Sequence, residues 1–192
     1  IYVPMLMPKG CGYPLWLLEP SNDPHPDYIR DGTQIGDLGY LDEAGGFVYL
    51  FNVGKAFNHA VNVGRTPPNF VPLSDIHEPR NQLLRLRIHQ NNESFKATSR
   101  DKKSIGGDIS AEASTQAAYL VLPDGGKHSK YKFPGILEQY AIDHAHEWYK
   151  HFNGQGMQIP NGMLYLMTGC NKCRSWTNAC YSHTAESGAV SL

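Results

Sequence analysis

Four soft metal ligands lie close together near the end of the chain: Cys170, Cys173, Cys180 and His183. Cys170 and Cys173 form a C-x-x-C pair, and Cys180 and His183 repeat that spacing six residues later. Thiolate and imidazole groups spaced in this way can close a tetrahedral zinc site. The alternatives are a Cys170–Cys173 or Cys173–Cys180 disulfide, or inert thiols that pack as small apolar side chains. We favour inert thiols, so no cofactor is expected and zinc is the alternative.

Acid–base groups also line one face of a predicted helix. His144, Glu147 and His151 are three and four residues apart, which places them on the same face. With His183 and the basic segment 96–103, His144 and Glu147 predict a nuclease-like hydrolase as an alternative function. The HExxH spacing of metalloproteases is absent. His144 also falls on the apolar face of the helix, which favours a hydrogen-bonded core histidine.

Four other histidines lie in predicted loops or at a strand end: His25, His59, His77 and His89. Two of them could combine with a basic residue into a ribonuclease-like site, because imidazole titrates near neutral pH. No spacing in the sequence demands that arrangement. These histidines therefore carry no prediction of their own.

Aromatic side chains are the third kind of candidate. Tyrosine and tryptophan beside Asn, Asp and Gly loops are typical of sugar and peptide sites. The ligand-binding candidates are Trp16, Tyr28, Tyr131 and Trp176. Most aromatics of this kind are simply half-buried, so the alternative for each is a place in the core.

The elements that must position these residues are mostly strands. Alternating residues 35–41, a Gly-containing turn and the aromatic run 47–53 predict a β-hairpin. Further strands are predicted at 83–89, 93–98, 117–122 and 163–168, with a polar loop at 99–107 and an irregular, proline-rich entry at 1–30. Apolar residues at three- and four-residue spacing predict one helix at about 134–152. The fold class is therefore α+β, a mainly antiparallel β core with one packed helix.

Composition limits the classes of function. The 192 residues suit a single globular domain, 1–192, and the net charge of −1 argues against nucleic acid as a partner. No apolar run is long enough for a membrane helix, so we expect a soluble, cytoplasmic protein without a membrane partner. The chain begins at Ile1 rather than Met and ends as if a strand were beginning, which is compatible with truncated ends and leaves secretion open.

Five segments with unusual sequences occur together, in a recognisable order, along most of the chain. They are LMPKGCGYPLWLLEP (6–20), IGDLGYLDEAGGFVYLFNV (35–53), AAYLVLPDGG (117–126), YAIDHAHEWYKHFNG (140–154) and PNGMLYLMTGCNKCRSW (160–176). In these segments the chain resembles a family of uncharacterised proteins of mushroom-forming (basidiomycete) fungi. The resemblance implies an intracellular protein that often accompanies other domains. It also implies that Cys170 is typical of the family, whereas the positions of Cys173 and Cys180 are often Ser.

The sequence lacks a complete catalytic motif, and its loop-rich β scaffold carries many aromatic residues. We therefore expect a non-catalytic binding or interaction protein, carbohydrate-binding or defence-related, with a small glycan or a protein as its partner. The alternatives are the nuclease-like hydrolase and a zinc-stabilised interaction module. The sequence leaves open whether the protein is an enzyme, but it favours a protein without catalytic activity.

Overall fold

The computed structural model describes residues 1–19, 25–74, 76, 84–89, 93–104 and 111–186, and only the backbone at 84–89, 99–104, 111–115 and 183–186. The described chain forms two compact units. One contains residues 1–16, 89–126 and 173–192, and we call it the terminal unit. The other contains residues 17–88 and 127–172, and we call it the central unit.

The predicted hairpin forms the middle of the central unit. Strands β1 (Asp37–Leu41) and β2 (Phe47–Asn52) pair antiparallel, and β7 (Leu164–Leu166) adds to the other edge of β1. The turn is closed by Asp42, whose Oδ1 accepts a hydrogen bond from the Gly46 backbone N–H at 2.8 Å. The strand order of this three-stranded sheet is β2-β1-β7.

A long helix, α3 (Pro134–Gly154), contributes to the core of the central unit. Pro134 occupies its first turn, where the missing N–H of proline costs no hydrogen bond. Phe51 of β2 contacts Trp148 edge-on and stacks on Phe152, with ring centroids 5.9 and 6.0 Å apart. Leu137 and Phe51 are completely buried. The apolar spacing of the helix therefore matches the face that it buries.

Gly39 in β1 has no room for a side chain. A Cβ built there would lie 2.2 Å from the Val48 carbonyl oxygen and 2.4 Å from Phe47 Cζ. Because one of these atoms is backbone, we expect Gly39→Ala to lower the free energy of unfolding by roughly 2 to 3 kcal/mol. Gly135, in the first turn of α3, is the matched control, because nothing lies within 4 Å of its Cβ position. Gly135→Ala should raise stability by about 0.5 kcal/mol, and urea unfolding of both variants checks the pair.

A second sheet has the strand order β3-β6-β8. Its strands are β3 (Leu84–His89), β6 (Gly126–Lys130) and β8 (Gly169–Cys173), most of whose residues belong to the central unit. Gly169 in β8 also lies close to the backbone of a neighbouring strand. A Cβ built there would lie 2.8 Å from the Ser129 carbonyl oxygen. Strand β8 therefore lies tightly against β6.

The terminal unit is built on three long strands. They are β4 (Glu93–Ser104), β5 (Ala111–Leu122) and β9 (Thr177–Glu186), in the order β4-β5-β9, with antiparallel pairing throughout. The short helix α1 (Tyr2–Leu6) packs on one face, where Tyr2, Leu6 and Ala118 are buried together. A 3₁₀ turn, Met7–Lys9, follows α1.

The structure confirms the α+β class, the β-dominated core, the hairpin and the packed helix. Two local predictions were wrong. The expected polar loop at 99–107 is strand up to Ser104, because its backbone continues the ladder with β5 as far as Ala111; cross-strand pairing overrides the polar composition. The expected irregular entry contains α1 and a second short helix, α2 (Pro26–Asp31), because proline is tolerated in the first turn of a helix.

No helix within the described ranges is both long and apolar enough to cross a lipid bilayer.

Candidate functional site

A buried carboxylate lies at the start of β1 in the central unit. The side chain of Asp37 is 1 % exposed, and both of its oxygens accept hydrogen bonds. The Gln34 backbone N–H donates to Oδ2 at 2.5 Å, and Asn52 Nδ2 donates to Oδ1 at 2.7 Å. Asp37 and Asn52 are direct partners in the hairpin register, so the fold of the hairpin brings them together.

Burial dominates the electrostatics of Asp37. Removal of the carboxyl from water raises its pKa to about 7, although the hydrogen bonds from Gln34 and Asn52 and the charge of Lys55 oppose the rise. Asp37 therefore changes its charge close to neutral pH. Strongly perturbed acids of this kind occur in active sites and also in structural networks.

Asn62 connects this carboxylate to the loop that follows β2. Its side chain is completely buried and its Oδ1 accepts from the Asn52 backbone N–H at 2.8 Å and from the Tyr49 hydroxyl at 3.1 Å. Its Nδ2 donates to the carbonyl oxygens of Asn52 and Lys55 at 2.9 and 2.8 Å. One amide therefore holds the end of β2 and the loop of residues 53–62 in a fixed arrangement.

Two buried tyrosines lie beside this network. The rings of Tyr28 in α2 and Tyr49 in β2 have centroids 4.0 Å apart. The pKa values of both hydroxyls are raised, mainly by burial and then by the charge of Asp37. Tyr28 is 3 % exposed, and its hydroxyl lies close enough to Thr33 and Asp37 for hydrogen bonding to affect the pKa values of Tyr28 and Asp37. Asp37, Asn52, Asn62, Tyr28 and Tyr49 are called the buried network below.

Several exposed or half-buried charged and titratable side chains lie close enough to one another, or to Asp37, to affect the pKa values of these groups. We call this set the polar rim, and its members are His25, Asp27, Arg30, Asp31, Lys55, His59 and Lys172. They come from three places in the sequence: α2 and the residue before it, the loop after β2, and strand β8. Lys55 joins the rim to the network, because Asn62 Nδ2 donates a hydrogen bond to the Lys55 carbonyl oxygen. The pKa of the Lys55 ammonium group is lowered by burial, against the attraction of Asp37 and Asp31.

Ion pairs order the α2 side of the rim. Arg30 contacts Asp27 at 3.0 Å and Asp31 at 2.9 Å. Its hydrogen bond to Asp31 and its charge lower the pKa of that carboxyl, with smaller contributions from Lys172 and Lys55. Lys172 also donates a hydrogen bond from Nζ to the Asp31 carbonyl oxygen at 2.6 Å. Strand β8 is thereby joined to the end of α2.

The two histidines of the rim are oriented in the same way. His25 Nδ1 accepts a hydrogen bond from the Asp27 backbone N–H at 3.2 Å, and His59 Nδ1 accepts one from the Val61 backbone N–H at 3.4 Å. In the neutral ring this bond leaves the proton on Nε2. The pKa of His59 is lowered, first by burial and then by the charge of Lys55. Both histidines therefore offer Nε2–H as a donor.

The predicted catalytic residues are only partly described. His144 lies between Tyr140 and Trp148 on α3, with ring centroids 4.4 and 6.1 Å away, and Glu147 is exposed. The backbone of His183 pairs with Thr115 in the terminal unit, but its side chain lies outside the described part of the chain. A site made of these three residues stays a prediction.

The cysteines of the predicted zinc site are free thiols. Cys170 and Cys173 are partly buried and Cys180 is exposed. Burial raises the pKa of the Cys170 and Cys173 thiols, which favours the protonated form over the thiolate that zinc requires. Among the side chains that are described, no three His, Cys, Asp or Glu residues are grouped so that they could hold a metal ion. The predicted zinc site also includes His183, whose side chain lies outside the described part of the chain, so the site stays a prediction.

The four predicted ligand-binding aromatics occupy different environments. Tyr28 and Tyr131 are buried in the central unit. Trp16 is 38 % exposed and contacts Tyr2 edge-on at 5.0 Å, while its carbonyl oxygen accepts a hydrogen bond from Asn178. Trp176 is half-buried in the terminal unit. Trp16 and Trp176 belong to the terminal unit and Tyr28 and Tyr131 to the central unit, so a ligand site made of these four residues stays a prediction.

The buried network and most of the rim were not predicted from the sequence. A signal was present, because Asn52 ends an otherwise apolar strand and Asp37 begins the strand that pairs with it. His25 and His59 were recognised as loop histidines, but nothing in their spacing shows that they lie on one surface. His25 and Lys55 both affect the pKa of His59, and this proximity depends on the course of the chain between them.

Comparison of the chain with models of known protein families, with curated proteins and with solved structures found no match. The resemblance to the basidiomycete family therefore stays a prediction.

Proposed function

We propose that this chain is a non-catalytic binding protein, and that the polar rim of the central unit binds a small glycan. The observation that carries the proposal is the order of the rim. Arg30 of α2 pairs with Asp27, Lys172 of β8 donates to the Asp31 carbonyl oxygen, and Asn62 of the buried network holds the backbone of the loop after β2 at Lys55. A preorganised surface of this kind loses little entropy when it binds.

The chemistry of the network supports binding rather than catalysis. Burial raises the pKa of Asp37 to about 7, which suits proton transfer near neutral pH, but both of its oxygens accept hydrogen bonds and the side chain is almost inaccessible. A general base must reach the proton that it removes. Asp37 therefore acts as a structural acid that holds the hairpin and the loop together.

The groups of the rim suit a hydroxyl-rich ligand. Sugar hydroxyls both donate and accept, so a sugar site needs donors and acceptors at fixed positions. The rim offers carboxylate acceptors at Asp27 and Asp31, and ammonium and imidazole donors at Lys172 and His59. The neutral overall charge of the chain gives no reason to prefer nucleic acid.

A glycan array with the wild-type protein, followed by titration of the best oligosaccharide, tests this proposal. We expect His59→Ala and Lys172→Ala to weaken binding about tenfold each, which is the loss of one charge-assisted hydrogen bond. Lys150→Ala is the control, because Lys150 is exposed on α3 in the same unit. An array without any bound glycan, equal binding by all three variants, or cleavage of the bound oligosaccharide would contradict the proposal.

A further inference from the structure

The three-stranded sheet of the terminal unit has two faces of different chemistry. Successive residues of a strand belong to opposite faces, and the register between β4, β5 and β9 continues without a shift. Ala118 of β5 lies on the face that packs on α1. The opposite face is accessible on both outer strands, where its exposed residues are Ser94, Lys96, Thr98, Thr177, Ala179 and Tyr181. We call the face that carries these six residues the open face.

Two tyrosines are neighbours on the open face. Tyr181 of β9 pairs with Ala117 of β5, and Tyr119 of β5 pairs with Ala179 of β9. The two tyrosines are therefore diagonal neighbours, with Cβ atoms roughly 7 Å apart. Tyr181 is 52 % exposed and Tyr119 is half-buried. Because the partner of each tyrosine across the β5–β9 pair is an alanine, the two rings have room to lie side by side on the sheet.

A lysine lies beside this aromatic pair. Lys96 of β4 pairs with Tyr119 across the sheet, and its Nζ lies over the Tyr119 ring, 5.3 Å from the ring centroid. This cation–π contact favours a position of the ammonium group close to the sheet. A flat ring and a negatively charged group can therefore be bound next to each other on the open face.

The charged residues of the three strands are sorted between the two faces. Arg100 and Lys102 follow Lys96 at the register positions of β4 that belong to the open face. The alternate positions, on the face with α1, hold Lys103 and the acidic residues Glu93, Asp101, Glu112 and Glu186. The near-neutral charge of the whole chain is therefore compatible with a face whose charged positions are all basic. Such a face is complementary to a chain of phosphates.

We infer that the open face binds single-stranded RNA, with a base stacked on Tyr181 and a backbone phosphate at Lys96. Aromatic rings beside basic side chains on a sheet are the combination that binds unpaired bases in other folds. The exposed hydroxyls of Ser94, Thr98 and Thr177 can hydrogen-bond the ribose 2′-hydroxyl, which favours RNA over DNA. The open face belongs to the terminal unit and the polar rim to the central unit, so this inference does not rest on the proposed function.

Fluorescence anisotropy with the full chain and a labelled uridine dodecamer tests the inference. We expect the RNA to bind, and its Kd to rise about tenfold between about 50 and 200 mM sodium chloride, which is the loss for two to three phosphate contacts on a single strand. The deoxyuridine dodecamer and the uridine dodecamer annealed to its adenosine complement should bind more weakly. Absence of RNA binding at the lower salt concentration, or equally tight binding of the DNA or of the duplex, would overturn the inference.

Variants of the open face locate the site. We expect Tyr181→Leu to weaken RNA binding at least about fivefold, because the stacked base loses its ring, whereas Tyr181→Phe should bind like the wild type. Lys96→Gln should lower the slope of log Kd against log salt by about 0.7, the contribution of one phosphate contact. Lys9→Gln is the matched control, because Lys9 is an exposed lysine in the turn that follows α1. Circular dichroism establishes that each variant is folded, and folded Tyr181→Leu and Lys96→Gln variants with the affinity and salt dependence of the wild type would refute the site.

Discussion

Replacement of Asn62 by Ala lowers the free energy of unfolding by about 4 kcal/mol, since each buried polar group left without a partner costs roughly 1 to 3 kcal/mol. The Asn62 side chain satisfies the backbone N–H and carbonyl of Asn52, the carbonyls of Lys55 and Ala56, and the Tyr49 hydroxyl. Alanine leaves the buried Asn52 N–H and Tyr49 hydroxyl without this partner, whereas the Asn52 carbonyl keeps a hydrogen bond from the Lys55 N–H. It also leaves a cavity where the completely buried amide had been.

Asn58→Ala is the matched control for this prediction, because Asn58 is an exposed amide in the same loop. Urea unfolding of the two variants should show a large loss for Asn62→Ala and a change within about 0.5 kcal/mol for Asn58→Ala. Asn62→Asp keeps the acceptor and removes the donor, so we expect an intermediate to large loss. Equal stabilities of the Asn62→Ala and Asn58→Ala variants would show that the network does not hold the loop.

Stability should fall as the pH rises from about 4 to 7, because of Asp37. Its pKa is raised from 3.8 to about 7 in the folded protein. In this window the folded state keeps a proton that the unfolded state has released, so folding is favoured at the acid end and the contribution is lost as the pH rises through 7. With 1.36 kcal/mol for each pKa unit, the change attributable to Asp37 is about 4 kcal/mol.

Asp37→Asn isolates this contribution from that of the other acids. Asn cannot titrate, so the pH dependence of its unfolding free energy should be shallower than that of the wild type between pH 4 and 7. His59, whose pKa is lowered from 6.5, contributes in the opposite direction within this window and is present in both proteins. Asp31, whose pKa is lowered from 3.8, titrates below the window. Urea unfolding at pH 4.5 and pH 7.5 measures the difference. Identical slopes in the two proteins would mean that Asp37 does not change its protonation in this range.

The sequence predicted those strands and helices whose residues show a local pattern of apolar side chains. The aromatic run of β2 and the turn before it predicted the hairpin, and the spacing of Leu137, Trp148 and Phe152 predicted α3. These signals are local, because side-chain periodicity reports which face of an element is buried. The β4–β5 pair was only partly predictable, since polar residues continue in both strands and only the pairing itself keeps them extended.

The candidate site depends on contacts that periodicity does not report. The register between β1 and β2 shifts between Leu38 and Gly39, and this irregularity accompanies the pairing of Asp37 with Asn52. Asn62 reaches the same place only because the loop after β2 turns back on the strand. Lys172 joins α2 over a separation of 141 residues. Such long-range contacts form only in the packed fold, so a single sequence does not predict them.

We propose that the rim binds a ligand and that the buried network holds the rim in place. The most direct test of this proposal is titration of the ¹⁵N-labelled protein with the tightest oligosaccharide of the glycan array, followed by recovery of the sugar. We expect that the amide shifts of His25, Lys55, His59 and Lys172 change most and that the oligosaccharide is recovered intact. Shift changes confined to residues far from the rim, or a cleaved oligosaccharide, would contradict the proposal.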